Sequence, residues 1–86
     1  MHFVYIIYSA RLDRYYIGES QDPEVRVEFH NRGLQRYTKR ASDWRMVFKG
    51  SYCNRTEAQI VERKIKSSKS RKTIQRWIEG SDNLLR

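Results

Sequence analysis

The residues of this chain that could do chemistry fall into three groups defined by spacing. The first is a pair of tyrosines: Tyr5 in Phe3-Val4-Tyr5-Ile6-Ile7-Tyr8 and Tyr16 in Tyr15-Tyr16-Ile17-Gly18, two apolar runs separated by six turn-prone or polar residues. Runs this rich in aromatic and β-branched residues read as strands, and two so close in sequence read as a hairpin. Side chains alternate between the faces of a strand, so the pairing register decides what the phenols do. If paired positions sum to an odd number, as with Tyr8 opposite Tyr15, then Tyr5 and Tyr16 project from one face as neighbours, at most roughly 8 Å apart. Two phenols meeting on one face of a basic protein suggest a site; an even sum would separate them. The competing reading keeps both as amphipathic core residues with their hydroxyls at the rim.

The second group is Arg26 and His30, the third Glu62, and each needs a helix to place it. Asp22-Pro23 reads as a helix start, with Asp as cap and Pro at the first helical position, and Gly33 ends the helix after about Asn31. Val25 and Phe29 are expected to face the core, with Arg26 and His30 together on the adjacent stripe at its edge. Thr56 and Gln59 form a capping box opening a second main helix whose core face is Ala58, Val61 and Ile65. Glu62 is then a carboxylate at the border of that apolar stripe, although an i, i+4 pair with Lys66 would also account for it.

Eighty-six residues make one small domain with a modest core. No apolar run is long enough for a membrane span and no signal peptide is evident, so the expected location is the cytoplasm. Cys53 is the single cysteine, which excludes an intrachain disulfide and a thiolate zinc cluster; it is expected to be an ordinary strand residue. Eighteen Lys and Arg against ten acids give a net charge of +8, which suits a polyanion, nucleic acid before an acidic protein or lipid surface. The excess is concentrated between Arg63 and Arg76, where seven basic residues and no acid occur.

The remaining elements complete a small domain. Leu34 to Asp43 is polar and basic, a loop or short helical turn, and Trp44 to Tyr52 reads as a third strand. Ile74, Trp77 and Ile78 suggest a last helix stopped by Gly80, leaving residues 81–86 as a short frayed tail. Strand, strand, helix, strand, helix, helix predicts an α+β fold over residues 1–80, a three-stranded antiparallel sheet flanked by helices.

In this order the motifs resemble the GIY-YIG nuclease superfamily, specifically its small standalone branch, and are similar to the nuclease domain of the excinuclease C subunit. Phe3-Val4-Tyr5 stands at the first tripeptide, with Phe3 where the name-giving glycine falls, and Tyr16-Ile17-Gly18 is the second. The stretch Asp22 to Asn31 is similar to the arginine-bearing helix, Gly33 to Thr38 with Trp44 to the following loop and strand, and Thr56 to Lys66 to the glutamate helix.

The resemblance implies an endonuclease that hydrolyses phosphodiester bonds in DNA with one divalent ion, Mg²⁺ or Mn²⁺, structure-selective and of a kind used in repair or recombination. It makes Glu62 the metal ligand, Tyr5 the base, Tyr16 a positioning hydroxyl, Arg26 the clamp on the scissile phosphate and His30 a hydrogen-bond partner of a tyrosine or the phosphate. Free phenol has a pKa near 10, about three units too high for a base at neutral pH, and cations near the ring are expected to lower it. Asn83 is the candidate for an asparagine that orders the site. Glu19, just after the second tripeptide, is expected to face solvent, the alternative being an extra acid in the same pocket. Arg63, Lys64, Lys66, Lys69, Arg71 and Lys72 are expected to bind phosphates without reading sequence, leaving specificity to substrate structure, a protein partner or a homodimer. A module that binds without cutting and a nuclease acting on RNA are the alternatives.

Overall fold

The computed structural model describes residues 1–86. The chain runs β1 (His2–Ser9), β2 (Arg14–Ser20), α1 (Pro23–Asn31), β3 (Arg45–Tyr52), α2 (Arg55–Ser68) and α3 (Arg71–Glu79). The sheet is antiparallel with strand order β2-β1-β3, so the first strand is central and the hairpin partner β2 keeps a free edge. Tyr8 pairs with Tyr15, Ile7 with Tyr16 and Tyr5 with Gly18. The paired positions sum to an odd number, so Tyr5 and Tyr16 share one face as diagonal neighbours.

That parity divides β1 between two cores. Val4 and Ile6 point to one face, where they meet Ile17, Phe48, Ala58 and Ile65 beneath α2 and α3. Tyr5 and Ile7 point to the other, where Ala41, Trp44 and the partly buried Val27 and Met46 cover them. The β1–β3 register shifts between Ile6 and Ile7, which pair with Phe48 and Met46 and leave Val47 bulged. A bulge interrupts alternation, and it lets Val47 join Phe48 on the α2 face while Met46 faces the other way.

The helices start where local chemistry allows. Asp22 caps α1 by accepting from the Val25 N–H, and Pro23 occupies the first turn, where its missing N–H costs nothing. Val25, however, is exposed and Phe29 only partly buried; the inward stripe is Pro23, Val27 and His30. His30 displaces Phe29 because both its ring nitrogens find partners inside. The cap of α2 is Asn54, accepting from the Glu57 N–H, two residues before the expected Thr56. Ala58 and Ile65 form the buried stripe of α2, and Cys53 lies exposed just past β3.

Residues 81–86 are not frayed. Asn83 is 6% exposed; its side-chain oxygen accepts from the Lys49 N–H and its amide donates to the carbonyls of Val47 and Ile78. The Leu84 N–H adds a bond to the Lys49 carbonyl, so the end of the chain seals the outer edge of β3. Glu19 likewise does not face open solvent, because it pairs with His2 at 3.0 Å and Arg55 at 3.5 Å on the α2 side of the sheet.

Candidate active site

Tyr5 reaches across the sheet rather than straight out from it. A Cβ placed on Gly18, its partner on β2, would lie 2.5 Å from the Tyr5 hydroxyl. Glycine at position 18 is therefore the seat of the phenol, and any side chain there would displace it. From this seat the Tyr5 hydroxyl lies 2.9 Å from His30 Nε2. The other ring nitrogen, Nδ1, lies 2.7 Å from Thr38 Oγ1.

The proton positions follow from counting donors. Thr38 has one hydroxyl hydrogen and donates it to Gln35 Oε1 at 3.2 Å, so toward His30 it accepts. His30 therefore carries its hydrogen on Nδ1 and presents Nε2 as an acceptor to the Tyr5 O–H. The Gln35 amide in turn donates to the Tyr16 hydroxyl at 2.8 Å. The two phenols thus end a single directed chain: Tyr5, His30, Thr38, Gln35, Tyr16.

The loop that supplies Gln35 and Thr38 is clamped at its base. Asn31 donates to the Trp44 carbonyl at 2.8 Å and accepts from the Trp44 N–H at 2.7 Å, while the Trp44 indole donates to the Thr38 carbonyl at 2.9 Å. Asp43 ties the same loop to the hairpin turn by accepting from Ser9 Oγ and the Arg11 N–H. Gln35 and Thr38 were missed at the level of sequence because a clamped loop has no periodicity to betray which side chains point inward.

Electrostatics sets the resting state of the chain. Burial, reinforced by the Arg26 charge, pushes the His30 imidazole from 6.5 down to about 4, so it is neutral near pH 7. Burial pushes the Tyr5 phenol above its ordinary 10, although Arg26 beside it pulls the other way. Arg26 acts in the expected direction, but desolvation of the phenolate outweighs it and the net shift is upward. At rest the proton sits on Tyr5 and points at a neutral imidazole.

Arg26 stacks over the Phe29 ring with its guanidinium carbon 4.4 Å from the centroid, and its buried Nε has no hydrogen-bond partner. It is paired with none of the acids in the fold's five salt bridges. A guanidinium without an acidic partner, beside the Tyr5 phenol, is suited to an oxyanion.

Glu62 lies at the margin of this cluster. Its Oε2 is 3.1 Å from Lys66 Nζ, which itself stands 5.8 Å from the Tyr16 ring centroid. The structure thus brings Tyr5, Tyr16, Arg26 and His30 together and sets Glu62 beside them. Lys66, Lys69 and Arg71 face a groove next to the site, whereas Arg63, Lys64 and Lys72 are exposed outside it. Asn83 hydrogen-bonds to none of these residues, being engaged on the far edge of the sheet.

No three His, Cys, Asp or Glu side chains gather into a metal cage. A single carboxylate with one oxygen free of its lysine still fits a hydrated divalent ion, because Mg²⁺ keeps several waters and takes the remaining ligands from substrate phosphate. No helix is long and apolar enough to cross a membrane.

Neither a curated protein nor a solved structure gave a match to the chain. The family model of the GIY-YIG catalytic domain matches residues 1–75, which takes in both tripeptide strands, the Arg26 helix and the Glu62 helix. Nucleases built on this domain hydrolyse phosphodiester bonds and generally use divalent metal ions. The directed hydrogen-bond chain, the free guanidinium and the family match converge, and this chain belongs to the GIY-YIG nucleases.

Proposed function

We propose that the protein is a divalent-metal-dependent endonuclease that cuts DNA at structural irregularities, of a kind useful in repair or recombination. The observation that carries this reading is the Tyr5–His30 contact beside unpaired Arg26. Arg26 grips a non-bridging oxygen of the scissile phosphate. Burial is the main reason His30 resists protonation and the Arg26 charge adds to it; the anion offsets the second of these, so substrate binding raises the basicity of the imidazole.

A water molecule then attacks phosphorus while its proton passes to the Tyr5 oxygen. Tyr5 releases its own proton to His30 Nε2, so no free phenolate is needed at neutral pH, while the His30 Nδ1–H keeps donating to Thr38 Oγ1. The P–O bond to the leaving sugar oxygen breaks, and that oxygen takes a proton from solvent. Tyr16, held by Gln35, orients the water or phosphate. Glu62 would hold the divalent ion, which when bound supplies a Lewis acid for charge on the phosphate and leaving oxygen.

The test is cleavage of labelled duplex, single-stranded, flapped and branched DNA, with an RNA arm, in Mg²⁺, in Mn²⁺ and in chelator. Cutting that needs the ion and disappears in Glu62→Gln supports the reading. Binding without cutting on every substrate overturns it, and cutting confined to RNA overturns the DNA assignment.

A further inference from the structure

Between the free edge of β2 and the junction of α2 with α3 lies a groove of about 470 Å³ with a chemistry unlike that of the tyrosine site. Ordinary small-ligand sites span roughly 300–1,000 Å³, so it is large enough for a planar group. Its floor is apolar, made by Tyr15, Ile17, Ile65 and Ile74, and its rim is cationic, made by Arg14, Lys66, Lys69 and Arg71. Tyr37 lines it too; this ring is 59% exposed and stands 5.8 Å from that of Tyr16, joining the groove to the catalytic cluster.

The rim charges differ in how far they are already answered. Arg71 is held by Asp13 at 2.9 Å and lies over the Tyr15 ring, and Lys66 is held by Glu62. Arg14 and Lys69 have no acidic partner. Lys69 also sits at the end of α2 with φ 50°, a left-handed conformation that favours glycine. A lysine kept at the position where glycine is easier places an unpaired cation on the rim at the expense of backbone comfort.

We propose that this groove holds an unpaired nucleotide of the substrate strand adjoining the scissile phosphate, so that the substrate class is a nucleic acid with a single-stranded segment at the cut. The proposal rests on the nuclease reading above. A duplex keeps its base faces stacked inside, so its phosphates would engage the rim while the apolar floor and Tyr37 stayed uncovered. An unpaired base has a free face for Tyr37 and the floor, and its phosphates reach Arg14 and Lys69.

The test reads binding apart from cutting. Fluorescence anisotropy in chelator compares a blunt duplex with the same duplex carrying an unpaired tail. The wild-type protein is expected to prefer the tailed duplex by about tenfold, roughly the worth of one stacked base. Tyr37→Ala is expected to erase that preference with little change on the blunt duplex. Lys69→Gly is expected to lose several-fold in affinity for the tail while resisting urea at least as well as wild type, because glycine suits the left-handed backbone. Equal binding of both duplexes by the wild type, or a preference that survives Tyr37→Ala, overturns the groove. Adding Mg²⁺ separates the two readings. Tail-selective binding without cleavage keeps the groove and overturns the nuclease; cleavage indifferent to tails does the reverse.

Discussion

On the face of the sheet toward α2 and α3, β1 contributes Val4 and Ile6 to an apolar core built with Phe48, Ala58 and Ile65, and the polar atoms buried on this side, Glu19 Oε2 and the Tyr52 hydroxyl, belong to residues that flank that cluster. On the face toward α1, alternate residues of the same strand set Tyr5 against His30 and Thr38, both fully buried, and Ser9 beside Asp43. One strand thus serves two interiors with opposite rules. An apolar interior tolerates repacking and is stabilised by area; in a hydrogen-bonded interior each orphaned group costs about 1–3 kcal/mol of desolvation. A nuclease of 86 residues can carry a buried polar chain because the other face supplies the cohesion.

The sharpest way to break this comparison is to change one residue on each face. Tyr5→Phe is expected to lower the cleavage rate by about 10²–10⁴-fold, the usual range for a lost acid–base group, and to cost about 1–3 kcal/mol for the orphaned His30 Nε2 while the chain still folds. Phe48→Ala is expected to destabilise by about 3–5 kcal/mol in urea unfolding, enough to unfold much of a small domain, with activity lost only in proportion to the folded fraction. If Tyr5→Phe unfolds the chain, or Phe48→Ala spares stability, the division of labour fails.

Gly18→Ala probes the polar face alone, since the added methyl meets the Tyr5 hydroxyl and no titratable group changes. Cleavage is expected to fall about as far as in Tyr5→Phe, with near-normal circular dichroism and DNA affinity. Full activity would show that Tyr5 can reach its role from elsewhere.

The buried imidazole gives the polar face a pH signature. The unfolded chain protonates His30 near 6.5 and the folded chain near 4, so between these values the unfolded state binds more protons. Stability is therefore expected to fall as pH drops through this window and level off below it, by at most roughly 3 kcal/mol. Urea midpoints of wild type and His30→Gln between pH 7.5 and 4.5 check it; an unchanged slope in the variant removes His30 as the cause.

The smallest effect belongs to the second link of the chain. Thr38→Val frees the imidazole to change tautomer and is expected to slow cleavage about tenfold, the order of one hydrogen bond to the reacting group, with Thr38→Ser close to wild type. Nitrogen chemical shifts of His30 read the tautomer directly, and a Thr38→Val protein that keeps the Nδ1–H form would show that Thr38 does not set it.

Much of this was legible beforehand where a local rule had no competitor. Strand alternation reduced the meeting of Tyr5 and Tyr16 to a question of register, which the observed odd sum answers; Asp22-Pro23 marked the start of α1 and Gly80 the end of α3. The rotation of α1 was not legible. Apolar periodicity favours Val25 and Phe29, but a histidine with two internal partners is as buried as any hydrocarbon, and those partners sit on another strand and in a loop. The α2 start was misread by two residues because Asn54 and Thr56 are both good caps and only packing chose between them. The net rise at Tyr5 was not foreseen because sequence shows charges, such as Arg26, but not depth.

The amide of Asn83 has a consequence for solution behaviour. It occupies the Lys49 N–H and the Val47 carbonyl, the groups through which a foreign strand would extend the sheet from β3. Exposed sheet edges are templates for aggregation. One side chain near the end of the chain thus acts as a selvedge: damage to Asn83 would leave catalysis intact in each molecule while letting molecules join one another strand to strand.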